Sequence, residues 1–137
     1  MQMERIMKIE KVRTAKTSNT FTAKIEKRAD FAANKFRVYF DGTLYHCYGL
    51  EEENDPRVFR TLYFHVQLDP STRQPTLVLM SYIARSGYEF EKAHTRDGSF
   101  TIDFDTQADH YKMSFHAVVN DPVAGDIDIL GSFDLRM

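Results

Sequence analysis

Between residues 88 and 106, YEFEKAHTRDGSFTIDFDT, acids alternate with apolar side chains: Glu89, Glu91, Asp103 and Asp105 against Tyr88, Phe90, Ile102 and Phe104. Two chemistries would use carboxylates in that number. Asp103 and Asp105, with Asp126, Asp128 and a histidine, could ligate a hard cation; Glu91 and Asp103 as a pair could serve a retaining glycosidase, whose carboxyls stand about 5 Å apart. Both need a concave site. Alternate residues of a strand project in parallel from a flat surface, and the sequence has no EF-hand spacing, no H-E-x-x-H and no C-x-x-C. The expectation is a solvated sheet face, with no metal and no bound cofactor.

Nucleophilic constellations are equally thin. Cys47, the single cysteine, follows His46, but neighbours on a strand project to opposite faces, so the thiol reads as structural and partly buried. No serine lies in a G-x-S-x-G elbow, the six glycines make no phosphate loop, and His46, His65, His94, His110 and His116 have no ligand spacing.

The hairpin at 36–50 is the binding candidate. A type I′ turn at Asp41-Gly42 would pair Phe40 with Thr43, Val38 with Tyr45 and Phe36 with Cys47 on one face. The other face would pair Tyr39 with Leu44 and Arg37 with His46, and would carry Tyr48. Both faces are then apolar or aromatic, as expected when one lines the core and the other meets a ligand or partner. Arg37, Tyr39, His46 and Tyr48 form the candidate ligand-binding set, suited to a small anionic or aromatic molecule. Tyr63 and His65 raise the same question, but the loop before them leaves their face open.

Strands must carry these residues. Period-2 alternation predicts them at 5–12, 20–28, 35–40, 43–50, 58–68, 76–85, 88–94, 99–105, 110–119 and 126–136, with turn chemistry at 40–43, 52–57, 68–76, 96–99 and 119–125. Residues 28–36 suit one short turn of helix, and 1–19 a peripheral strand or short helix. The predicted fold is a single all-β domain, 1–137: an antiparallel meander of eight to ten strands, either a two-layer sandwich or a closed lipocalin-like barrel. With no Trp there is no G-x-W signature, so the lipocalin likeness is architectural only.

Register follows from burial. A three-residue loop with Gly98 left-handed sets Phe90 opposite Phe104 and Glu91 opposite Asp103, because burying an aromatic, about 1.5–3 kcal/mol, outweighs a surface pair. In the next strands Phe104 faces Tyr111, Ile102 faces Met113 and Val119 faces Ile127. Asp103 then meets Lys112, and His110 lies beside Arg136, giving a lattice of mixed sign.

Composition sets the outer limits. The 137 residues are 42% hydrophobic and 28% charged, with 13% aromatics. No apolar run approaches the ~20 residues of a membrane span, and MQMERIMKIEK lacks the apolar core of a secretory signal. A lone cysteine suits a reducing compartment, so a cytoplasmic location is expected. Residues 1–40 hold ten Lys/Arg against four Asp/Glu, net +6, and the remainder is net −8. The pI near 6.2 argues against nucleic acid as a partner.

The expected function is that of a non-enzymatic cytoplasmic β domain binding a small ligand or another protein, with homo-oligomers allowed. One alternative is a hydrolase or isomerase with a His/carboxylate site in a barrel mouth. The other is a structural interaction protein that uses its basic N-terminal segment.

Overall fold

The computed structural model describes residues 18–95, 97–121 and 125–137. Regular structure in them is all strand: β1 (Thr20–Ile25), β2 (Phe31–Ala32), β3 (Lys35–Phe40), β4 (Tyr45–Glu52), β5 (Val58–Leu68), β6 (Pro75–Ser86), β7 (Glu89–Thr95), β8 (Gly98–Asp105), β9 (His110–Asp121) and β10 (Gly125–Arg136). The first sheet has the order β2-β1-β10-β9-β8 and the second β3-β4-β5-β6-β7, each antiparallel. They form a two-layer sandwich and do not close into a barrel. The expected strand at 5–12 lies outside the described residues, as does all but the end of the segment 1–19.

Alternation in sequence becomes alternation in burial. Along β9, Tyr111, Met113, Phe115, Ala117 and Val119 point inward, and Lys112, Ser114 and His116 outward. Between the sheets the Phe21 and Phe133 rings stack at 4.9 Å, and Phe64 lies 4.7 Å from Phe115. Aromatic rings thus fill the middle of the sandwich, where a lipocalin-like barrel would hold a ligand. Cys47 is fully buried among them, and burial pushes its thiol up to about 12.

The β8–β9 and β9–β10 registers are those expected: Phe104 faces Tyr111, Ile102 faces Met113, and Val119 faces Ile127. The hairpin expected across 88–105 does not form. β7 closes the second sheet beside β6, and β8 begins the first beside β9. On β7 it is Ala93 and Thr95 that face the core, opposite the bulky Tyr82 and Met80, so the small side chains fit where Phe90 would crowd. Phe90 is 60% exposed, and Glu91 turns to the inner side, far in the fold from Asp103. Gly98 has φ +133°, but as the first residue of β8, where a Cβ would run into the His116 carbonyl.

The 36–50 hairpin is shifted by two residues. Phe40 pairs with Tyr45, Val38 with Cys47 and Phe36 with Gly49, leaving a four-residue loop, 41–44. The cause is Asp41, whose Oδ1 accepts hydrogen bonds from the Thr43 and Leu44 amides at 2.8 and 2.7 Å, an arrangement that displaces the type I′ turn. A shift of two preserves which face each side chain takes. Near 28–36, the short strand β2 stands in place of a helical turn.

Candidate functional site

The outer side of the second sheet gathers the four predicted residues. Its β3–β5 strands pair Tyr39 with His46 and His46 with His65; one step along, Arg37 pairs with Tyr48 and Tyr48 with Tyr63. Tyr63 and His65 therefore join Arg37, Tyr39, His46 and Tyr48 on one face. The rings pack on one another: Tyr39 on His46 at 4.5 Å, Tyr48 on Tyr63 at 5.2 Å, and His65 at 4.7 Å from both His46 and Tyr63. The Arg37 guanidinium sits 4.7 Å from the centre of the Tyr39 ring, and its Nη1 is 3.4 Å from the Tyr48 hydroxyl.

A polar chain runs through this cluster. His46 Nε2 is 2.6 Å from Asp41 Oδ2, and His46 Nδ1 is 2.7 Å from the Tyr63 hydroxyl, which lies 3.2 Å from that of Tyr39. In the tautomer with Nε2–H donating to the carboxylate, Nδ1 accepts from Tyr63, and Tyr63 accepts from Tyr39. Asp41 was missed in the sequence because it reads there as a turn residue. The Leu44 amide, His46 and the Thr43 amide together pull its carboxyl down to about 2. Burial first, then Tyr39, raises the Tyr63 phenol far above its ordinary value. Asp–His–Tyr has the look of a relay, yet it ends in a phenol held in its neutral form, a poor nucleophile and base.

Titration of this face should register in stability. Burial, then the neighbouring His46, lowers His65 from 6.5. Its neutral form therefore stabilises the fold above that value, and the contribution is lost as pH falls below it. The Asp41 contribution is complete above its ordinary 3.8 and disappears as pH falls toward 2. Melting temperature is expected to drop in both windows, the upper drop shrinking in His65→Gln and the lower in Asp41→Asn; unchanged profiles would contradict the assignments.

Elsewhere on the same face, Ser81 Oγ is 2.7 Å from His94 Nδ1. Four Lys/Arg project from its strands (Lys35, Arg37, Arg85, Lys92) against one acid, Glu52, which is bound to Lys35 at 3.1 Å.

The outer side of the first sheet differs in kind. Five acids (Asp103, Asp105, Asp126, Asp128, Asp134) stand among Lys24, Lys112 and Arg136, around a row of hydroxyls from Thr22, Ser132, Ser114 and Thr101. Asp134 pairs with His110 at 2.6 Å, Asp128 with His116 at 3.1 Å, and Asp103 with Lys112 at 3.6 Å. This is the mixed lattice expected, without Glu89 and Glu91. Among the described residues no group of three or more His, Cys, Asp or Glu converges to hold a metal ion.

A cleft of about 900 Å³ opens where the β1–β2 turn crosses the second sheet. Its polar groups mostly satisfy one another. Arg60 binds Glu51 through Nε and Nη2 at 2.8 and 3.0 Å and donates to the Ala29 and Asp30 carbonyls. Arg28 binds Glu91 at 2.7 Å and Asp121 at 3.1 Å. None of the five histidines lines the cleft, and the three His–Asp pairs stand on outer sheet faces.

No known protein family, curated protein or solved structure matches the chain. No helix among the described residues is long and apolar enough to cross a membrane.

Proposed function

We propose that this chain is a cytoplasmic domain that works by binding rather than by turnover, holding an anionic partner against the outer face of β3–β7. The difference between the two outer faces carries the reading. One is a lattice of acids, bases and hydroxyls of the kind water covers well; the other sets Tyr, His and Leu between Arg and Lys, and of these the tyrosines and arginines are the types enriched at recognition surfaces. Its rings are already packed and its hydroxyls already bonded, so association would freeze little side-chain freedom. The relay ending in a neutral phenol, on an open sheet, favours binding over catalysis.

A peptide of alternating glutamate and tyrosine serves as the probe. Titrated into isotopically labelled protein, it is expected to shift backbone amides of β3–β5, with Arg37→Ala and Tyr48→Ala each weakening the response about tenfold, as for central interface residues. Shifts confined to the cleft or to the first sheet, or none at all, would overturn the reading.

A further inference from the structure

We infer that the anionic partner of the β3–β7 face is the acidic outer face of the first sheet on a second copy of this chain, so that sandwiches stack head to tail; this rests on the reading proposed above. The two faces lie on opposite sides of one sandwich and carry opposite charge. From the strands, four Lys/Arg against Glu52 face one way, with the loop carboxylate of Asp41 beside His46, and five Asp against three Lys/Arg face the other. Two β3–β7 faces brought together would set cation against cation, and two first-sheet faces would set acid against acid. Only the unlike pairing brings Arg37 and Lys92 toward Asp103 and Asp126.

Sheets stack about 10 Å apart, close to the screening length of ~8 Å at physiological salt, so the charges act across the contact and weaken as salt rises. The hydroxyl row of the first sheet supplies donors and acceptors to the tyrosine tips. Five strands at about 4.8 Å spacing and six residues at ~3.3 Å give a footprint of roughly 480 Å². That is small beside the ~800 Å² per partner of a stable complex, so the association is weak and concentration-dependent. A contact between unlike faces leaves one of each free, and growth is open-ended unless the rotation closes a ring.

Sedimentation of the full chain tests this. At low salt the mean mass is expected to climb with concentration past that of a dimer, and to fall to the monomer at high salt. Arg37→Glu with Lys92→Glu spoils one face, and Asp103→Lys with Asp126→Lys spoils the other; circular dichroism checks that each double variant folds. Each alone is expected to stay monomeric, at least tenfold weaker in self-association, while their equimolar mixture associates again, because the intact faces, and the two reversed faces, are complementary between the variants. A dimer that persists in the Asp103/Asp126 variant would show like-face pairing and overturn the inference. Wild-type protein that stays monomeric at every salt and concentration would also overturn it; if the peptide still shifts β3–β5 amides, the binding face itself stands.

Discussion

Replacing Phe21 with alanine is expected to cost about 4 kcal/mol of unfolding free energy, within the ~3–5 usual for a buried phenylalanine. Phe21 is 1% exposed and meets rings from both layers: Phe133 at 4.9 Å and Phe115 at 6.4 Å in the first sheet, Phe64 at 6.1 Å in the second, with Phe31 edge-on at 5.8 Å. Its removal opens a cavity at the centre of the inter-sheet contact. The surroundings cannot collapse into it without moving two sheets that β1 helps to hold in register. A domain of this size holds roughly 5–15 kcal/mol in total, so the variant should unfold at much lower urea with little change in slope. Gly49 supplies the control. A Cβ there would stand 2.7 Å from the Phe21 ring, so Gly49→Ala alone should also destabilise. In the Phe21→Ala background the ring clash is gone and only the 2.9 Å approach to the Ala33 Cβ remains, so the cost should shrink. Additive losses would show that the two sites do not share that space.

Arg28→Ala is the second large effect, at about 3 kcal/mol. The side chain follows Lys27, which has φ +62°, and its guanidinium reaches Glu91 on β7 and Asp121 on β9. One planar fork thus ties the second sheet to the first. The two contacts differ in weight. The Glu91 carboxylate is 28% exposed, and water screens that pair to about 1 kcal/mol or less. Asp121 is only 3% exposed, so the contact with it is screened far less and carries most of the loss when the guanidinium is removed. Arg28→Lys keeps the charge without the fork and should recover only part of the loss. Asp121→Asn combined with Arg28→Ala should be milder than Arg28→Ala alone. A loss below about 0.5 kcal/mol in urea denaturation would refute the role assigned to this residue.

Where the chain's signals were local and of one kind, the fold could be read from them. β8, β9 and β10 place large apolar residues at every second position with short loops between, so burial determined their registers. At β7 the same alternation misled, because Glu91, Ala93 and Thr95 carry the inward face and the larger Phe90 and His94 the outward one. Periodicity also cannot distinguish a hairpin from a crossing between layers. The pairing of β1 with β10 joins residues more than a hundred positions apart, and nothing local announces it.

The four hairpin residues were grouped on one face despite the wrong register, because a two-residue slip keeps parity. Tyr63 and His65 joined them only once the β4–β5 pairing fixed their side. Asp41 escaped notice because one carboxylate both shapes the turn through Oδ1 and holds His46 through Oδ2. Arg28, Glu91 and Asp121 come from three distant segments, and only the tertiary fold unites them.

Cys47, the single sulfhydryl, is sealed at the centre of this packing. With its pKa near 12, about one molecule in 10⁵ would hold a thiolate at neutral pH even if reagents could reach it. Its chemistry is therefore governed by how often the sandwich opens rather than by how reactive the sulfur is. An oxidant that captures the thiol during such an opening adds polar atoms that the tight core beside Phe64 and Val38 cannot readmit. Unless a reductant restores the thiol from the sulfenic stage, each oxidised chain is then lost to the native population, and the sulfur keeps a chemical memory of the molecule having once been open.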